Sequence, residues 1–171
     1  EIEISERMTN TWLFDEFLLR SEEFQLLCAV IKTHGAEPSK DSPSQKIKFH
    51  PHCHQRAEGP GVDGLPTGTN ATVELLHMCG YKVELMDTGC CGMAGTFGYE
   101  AEHYDLSMNV AELKLFPLLR AESGTGNVNP PVVSSGAACR MQIRQGTGIQ
   151  ALHPIMLVNQ FLDEGIANDE K

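Results

Sequence analysis

The spacing of apolar positions changes along the chain. Within residues 1 to 34, FDEFLL and FQLLCAVI set apolar side chains three and four residues apart, the stripe of an amphipathic helix. Ser21 ahead of Glu22 and Glu23 supplies a helix start. EPSKDSPSQ (37–45) is polar and rich in Pro and Ser, and reads as a linker. Beyond it, short apolar runs alternate with helical stretches. IKFH (47–50), KVELMD (82–87), PVVSS (131–135) and IQALHP (149–154) read as four strands. TVELLHMCGY (72–81) reads as a helix closed by Gly80, and EHYDLSMNVAELKLFPLLR (102–120) as a long helix bent or ended near Pro117. CRMQIRQGTG adds a helical turn or two, and PIMLVNQFLDEG a closing helix with Pro154 in its first turn.

Strands alternating with helices predict an α/β fold: a parallel sheet of about four strands flanked by helices, with an N-terminal helical preface. The expected division is a helical segment and linker over 1–45 and a cysteine-rich α/β domain over 46–171. In such sheets, sites form beyond the carboxyl ends of the strands.

Composition narrows the function. The 171 residues are 41% hydrophobic, enough for one core, and the formal net charge of −10 with scattered basic residues excludes a phosphate-tracking surface, so no nucleic-acid partner is expected. No apolar run approaches the roughly 20 residues that span a bilayer. The first residues, EIEISERMTN, are acidic and polar, unlike a signal peptide, and start with Glu rather than Met, so the chain reads as a piece of a longer or processed protein. Six cysteines without a secretion signal point to reduced thiols in a cytosolic setting.

The cysteines carry the chemistry. Cys53 follows strand IKFH, Cys90 and Cys91 follow KVELMD, and Cys139 follows PVVSS. Strand ends of a parallel sheet share one edge, so these four thiols are expected to converge there as soft ligands. Vicinal Cys90 and Cys91 point in different directions from one backbone, which suits two atoms of a cluster better than one ion. Gly89, Gly92 and Gly95 would let the backbone turn tightly near a bulky centre, and their amides could donate to thiolate or sulfide. A lone cysteine is more often a small core hydrophobe, the reading preferred for Cys28 and Cys79 inside apolar helical stripes. HPHCHQR adds His50, His52 and His54. On an extended segment His52 and His54 would share one side, opposite Cys53, and could join a zinc site or place a proton near a cluster. For any single one of these histidines, capping a strand or donating to a neighbouring carbonyl is the preferred reading. His103 is a weaker candidate, and His153, ending the fourth strand, is a candidate only for the surroundings of the ligands. No G-x-x-x-x-G-K-[ST] loop is present, and GTGIQ and GTGNVN lack the context of a dinucleotide fingerprint.

The runs H-x-H-C-H, D-x-G-C-C-G-M-A-G-x-F-G-Y-E and V-V-S-S-G-x-x-C, covering about residues 46 to 158, resemble the cysteine-rich CCG domain. That domain occurs in the cysteine-rich subunit of heterodisulfide reductase, in the iron–sulfur subunit of glycolate oxidase and in the iron–sulfur subunit of anaerobic glycerol-3-phosphate dehydrogenase. It also ends long bacterial FAD-linked oxidases of the D-lactate and glycolate dehydrogenase type, to which GCCGMAGTFGYE followed by HY is most similar. Thirty-six residues separate Cys53 from Cys90, and forty-seven separate Cys91 from Cys139.

The resemblance implies ligation of an iron–sulfur cluster of the 4Fe-4S type by Cys53, Cys90, Cys91 and Cys139, with Gly89, Gly92, Gly95, His52 and His54 around it. It implies FAD on an upstream part of the full protein, ferredoxin-like upstream domains or subunits, and a quinone or protein electron acceptor. The expected location is cytoplasmic, peripheral association with the inner face of the membrane included. The family motif often ends C-x-x-C, whereas Arg140, Met141 and Gln142 follow Cys139 here, which favours four ligands over a five-thiolate non-cubane cluster. The single CCG motif fits a C-terminal fragment. The function implied is electron transfer in a flavin-linked 2-hydroxy-acid dehydrogenase. The alternatives are a structural zinc module for subunit docking, with zinc also known at this place in some relatives, and a thiol–disulfide redox site.

Overall fold

The computed structural model describes residues 11–33, 46–121 and 129–169, so the linker at 37–45 and the first ten residues lie outside the described residues. Two helices open the chain, α1 (Phe14–Arg20) and α2 (Glu22–Thr33). Strand β1 (Lys46–Phe49) leads into a short helix α3 (Cys53–Ala57) and then α4 (Gly68–Met78). Strand β2 (Lys82–Leu85) is followed by two 3₁₀ turns, Phe97–Tyr99 and Ala101–His103, and by α5 (Tyr104–Glu112) and α6 (Leu115–Ala121). Strand β3 (Val132–Val133), α7 (Ala137–Thr147) and α8 (Pro154–Asp169) complete the order.

The sheet is parallel and three-stranded, ordered β2-β1-β3, with Phe49 of β1 level with Leu85 on one side and Val133 on the other. The expected fourth strand at 149–154 is a correction. Only Leu152 pairs, as an isolated parallel bridge to Val133, through Leu152 N–H to the Val132 carbonyl at 2.8 Å and Ser134 N–H to the Leu152 carbonyl at 2.9 Å. Gly148, left-handed at φ 76°, ends α7 on one side, and α8 starts at Pro154 on the other, so the extended stretch is too short to build a ladder.

The long helix over 102–120 is two. Pro117 has no amide hydrogen and its ring presses on the carbonyl four residues back, that of Leu113, so the helix breaks between α5 and α6 rather than at the proline. Gly80 closes α4 as expected. At φ 85° it is left-handed, its N–H bonds the His77 carbonyl at 2.9 Å, and the next amide, Tyr81, reaches the Leu76 carbonyl at 3.0 Å, which together form a Schellman motif.

Among the described residues, three apolar clusters form the core. Ile47, Phe49, Leu76, Val133 and Leu157 fill the space between the sheet, α4 and α8. Leu19, Phe24, Cys28 and Ile31 of the first two helices pack with Ala71, Leu75, Cys79, Val158 and Phe161, so Cys28 and Cys79 are core residues. The third cluster gathers Met86, Met93, Leu115, Phe116 and Ile143 with Cys91 and Cys139. Helix α1 is also pinned by buried acids: Glu16 Oε1 accepts from Gly68 N–H at 2.9 Å and Oε2 from Leu13 N–H at 3.1 Å, while Asp15 Oδ2 accepts from Thr72 and, at 3.3 Å, from Gln55 Nε2. No helix among the described residues is long and apolar enough to cross a membrane.

Candidate metal centre

The carboxyl ends of β1, β2 and β3 deliver the four cysteines to one place. Cys53 opens α3 just beyond β1, Cys90 and Cys91 lie in the loop after β2, and Cys139 stands in the first turn of α7 after β3. All four line a single cavity of about 230 Å³, together with His50, His52, Arg56, Met93, Ala94 and Ala138. Cys91 and Cys139 are buried in its floor, whereas Cys53 and Cys90 are exposed at its rim. All are free thiols.

The two buried sulfurs touch. A hydrogen bond with Cys139 pushes the Cys91 thiol up to about 12, with burial acting in the same sense, and the same bond lowers Cys139. The buried Ser134 hydroxyl, with no other partner among the described residues, also favours the Cys139 thiolate. Charge on Cys53 and Cys90 opposes this, a sign that the sulfurs feel one another. Of the buried pair, Cys139 is therefore the first to release its proton.

The glycines divide. Gly92 is required: at φ 94° it is left-handed, and a Cβ there would stand 2.0 Å from the Ser107 carbonyl oxygen. Its close approach is to α5, not to the cavity, which corrects the expected reason for it. Its amide does donate to the Cys90 sulfur at 3.3 Å. Gly95 is left-handed at φ 71° with open space around it, and serves a turn. Gly89 lines the cavity, but has neither a left-handed backbone nor a close neighbour, so nothing local demands glycine there. Sequence reasoning passed over Gly136, where a Cβ would meet His52 Cδ2 at 2.6 Å and the Cys139 sulfur at 2.9 Å.

The histidines are placed differently from expectation. The extended segment ends at His52, because Cys53–Ala57 is helical, so His52 and His54 do not alternate opposite Cys53. His52 instead caps α3: its Nδ1 accepts from His54 N–H at 3.2 Å, and its own N–H reaches Gln55 Oε1 at 3.2 Å. His52 lines the cysteine cavity; His54 and His153 do not, and lie with His52 in a neighbouring groove of about 400 Å³. His153 also caps its helix, accepting from Ile155 N–H at 3.1 Å. His50, left among the strand-cap readings, is the histidine at the sulfurs. It is 1% exposed, its Nδ1 lies 2.6 Å from Thr88 Oγ1, and it hydrogen-bonds Cys91. Its position as last residue of the run IKFH, beside the strand that leads to Cys91, was the available signal.

The donor set fits a soft, sulfide-bearing centre. Four thiols face one cavity, an amide already bonds one sulfur, and the walls carry histidine and methionine without a carboxylate. The volume is several times the roughly 30 Å³ that one water molecule occupies in the liquid, more than a single ion needs. Among the described residues, no group of three or more His, Cys, Asp or Glu side chains is arranged to hold one metal ion. At the position where the related motif has a further cysteine, Gln142 is buried and its amide donates to Ser107 Oγ at 2.9 Å.

Over 120 residues, 68% of this chain, the sequence is 33% identical to a subunit of the anaerobic glycerol-3-phosphate dehydrogenase of Escherichia coli (strain K12), and the match covers 26% of that subunit. Over 143 residues, 82% of the chain, it is 26% identical to the D-2-hydroxyglutarate dehydrogenase of the same strain, covering 13% of it. The D-2-hydroxyglutarate dehydrogenase of Pseudomonas putida is 26% identical over 110 residues, 64% of the chain and 10% of that enzyme. The chain therefore spans about a quarter or less of the curated relatives it matches. No family model matches it, and no solved structure does. The relatives are oxidoreductases, two kinds of dehydrogenase, and the similarity lies in a part of each.

Proposed function

We propose that this chain is an iron–sulfur electron-transfer domain of a larger flavin-linked dehydrogenase. The observation that carries the reading is the convergence of Cys53, Cys90, Cys91 and Cys139 on one cavity at the carboxyl edge of the sheet. Support comes from the relatives, which are dehydrogenases far longer than the matched segment, consistent with upstream FAD and ferredoxin-like domains or subunits. The substrate class we assign is a 2-hydroxy acid: lactate or glycolate by the motif, D-2-hydroxyglutarate by the name of two of the relatives. Substrate oxidation belongs to the flavin, and the acceptor is a quinone or protein, reached from a cytoplasmic or peripheral membrane position.

An iron–sulfur centre supplies one-electron transfer when bound. Cys53, Cys90, Cys91 and Cys139 would hold it through their sulfurs. Gly92 N–H offsets charge at Cys90, and the floor of Met93 and buried Cys139 limits water on one side while the rim stays open toward a partner. The test is elemental analysis and electron paramagnetic resonance on protein purified and reconstituted anaerobically. Iron and acid-labile sulfide retained together, with a signal on reduction, is the expected result. Zinc at about one per chain without iron, after anaerobic expression, would instead establish the docking module, whose tetrahedral site needs only one ion. A reversible disulfide on mild oxidation, in a chain that takes neither metal, would establish the thiol redox reading.

A further inference from the structure

Three elements meet behind the Cys91 sulfur. His50 follows β1, Thr88 follows β2, and Arg56 reaches across from α3. Arg56 Nη2 donates to Thr88 Oγ1 at 3.1 Å and to the Met86 carbonyl at 3.4 Å, and its Nε donates to the Pro51 carbonyl at 3.4 Å. A guanidinium has no acceptor, so the direction of the first bond is fixed. Thr88 is 1% exposed, and its hydroxyl hydrogen needs an acceptor; among the described residues the acceptor in reach is His50 Nδ1 at 2.6 Å. With Nδ1 accepting, neutral His50 carries its proton on Nε2, the ring's other donor site. His50 and Cys91 line the same cavity and are hydrogen-bonded, and with Nδ1 taken by Thr88 the ring nitrogen left to donate to that sulfur is Nε2.

Resting on the iron–sulfur reading of the site, we propose that Arg56, Thr88 and His50 form a one-directional hydrogen-bond chain that aims the Nε2–H of His50 at the Cys91 sulfur and raises the reduction potential of the centre held there. The chemistry is electrostatic. Reduction adds negative charge at the sulfurs, and a donor with a cation at its far end stabilises the reduced state more than the oxidised one. Burial of His50 keeps that dipole unscreened by water. His50 is thereby a positioning and tuning residue, acting through Cys91, and Thr88 fixes its tautomer. The arrangement also singles out one ligand of four, since Cys90 takes its bond from Gly92 N–H instead.

Two measurements decide it. Long-range ¹⁵N–¹H correlation on isotope-labelled apoprotein reads the tautomer without any metal. Nδ1 of His50 is expected to be unprotonated in the native chain, and that preference is expected to weaken in Thr88→Val. A native His50 protonated at Nδ1 overturns the chain of bonds. Redox titration of anaerobically loaded protein then reads the potential. His50→Phe is expected to shift it negative by about tenfold in the reduction equilibrium, about 59 mV for one electron. His50→Gln, which keeps an N–H, is expected to recover part of the shift, and His77→Gln, exposed on α4, is expected to leave the native potential unchanged. An unchanged potential in a fully loaded His50→Phe protein overturns the tuning role. Should no variant and no native protein take up a centre, the functional reading fails and the tuning with it, while the tautomer result still stands or falls by itself.

Discussion

Single residues carry most of the local constraint around the sulfurs. Gly92 meets two demands at once, a left-handed backbone and a missing Cβ against Ser107. Gly92→Ala is expected to destabilise by about 3 kcal/mol or more, read as a lowered urea midpoint with an unchanged slope, whereas Gly89→Ala in open space is expected to change it little. Histidine burial sets a pH dependence. Burial, with like-charge neighbours, holds His52 and His153 below their ordinary value of 6.5. The unfolded chain therefore binds more protons just below that value, so the stability these groups contribute is present above it and lost as pH falls through the folded values. The urea midpoint is expected to drop as pH falls through and below the ordinary histidine value of 6.5, and His153→Asn, which keeps an acceptor for Ile155 N–H, is expected to flatten the drop. The cysteines of the cavity were legible as a group because a glycine-bracketed vicinal pair and two further thiols all follow strands of one parallel sheet. The roles of the histidines were not, because whether a ring faces sulfur or a helix amide depends on where α3 begins, and a five-residue helix leaves no periodic mark.

At the scale of elements, period switching located the strands and helices, and the errors fell where pairing partners or backbone sterics decide. The stretch at 149–154 has strand composition, yet only Leu152 finds a ladder partner because α7 and α8 close in from both ends. The break before α6 sits four residues ahead of Pro117, where the carbonyl clash acts, rather than at the proline itself. The attachment of α1 was invisible beforehand, since apolar spacing says nothing of Asp15 and Glu16, which are buried against α4. Glu16→Ala would leave the amides of Gly68 and Leu13 without their acceptor. It is expected to cost about 1–3 kcal/mol and to speed proteolysis within α1, while Glu16→Gln, which keeps one acceptor oxygen, is expected to cost less.

Over the whole molecule, three strand ends and two helix starts bring residues from distant parts of the sequence to one cavity, and that edge was readable from the alternation of strands and helices, although the strand order was not. The burial split was not: two sulfurs lie in the floor and two at the rim, a division that, under the proposed function, would give a bound centre one protected side and one open side. The most direct test is a count of iron and acid-labile sulfide after anaerobic reconstitution, made on the native chain and on single serine or alanine variants of every cysteine. The account predicts that Cys53→Ser, Cys90→Ser, Cys91→Ser and Cys139→Ser each lose most of the iron and sulfide, while Cys28→Ala and Cys79→Ala, which remove thiols of a separate core cluster, retain both. Native levels of iron and sulfide in the first four, or none in the native chain, would contradict it.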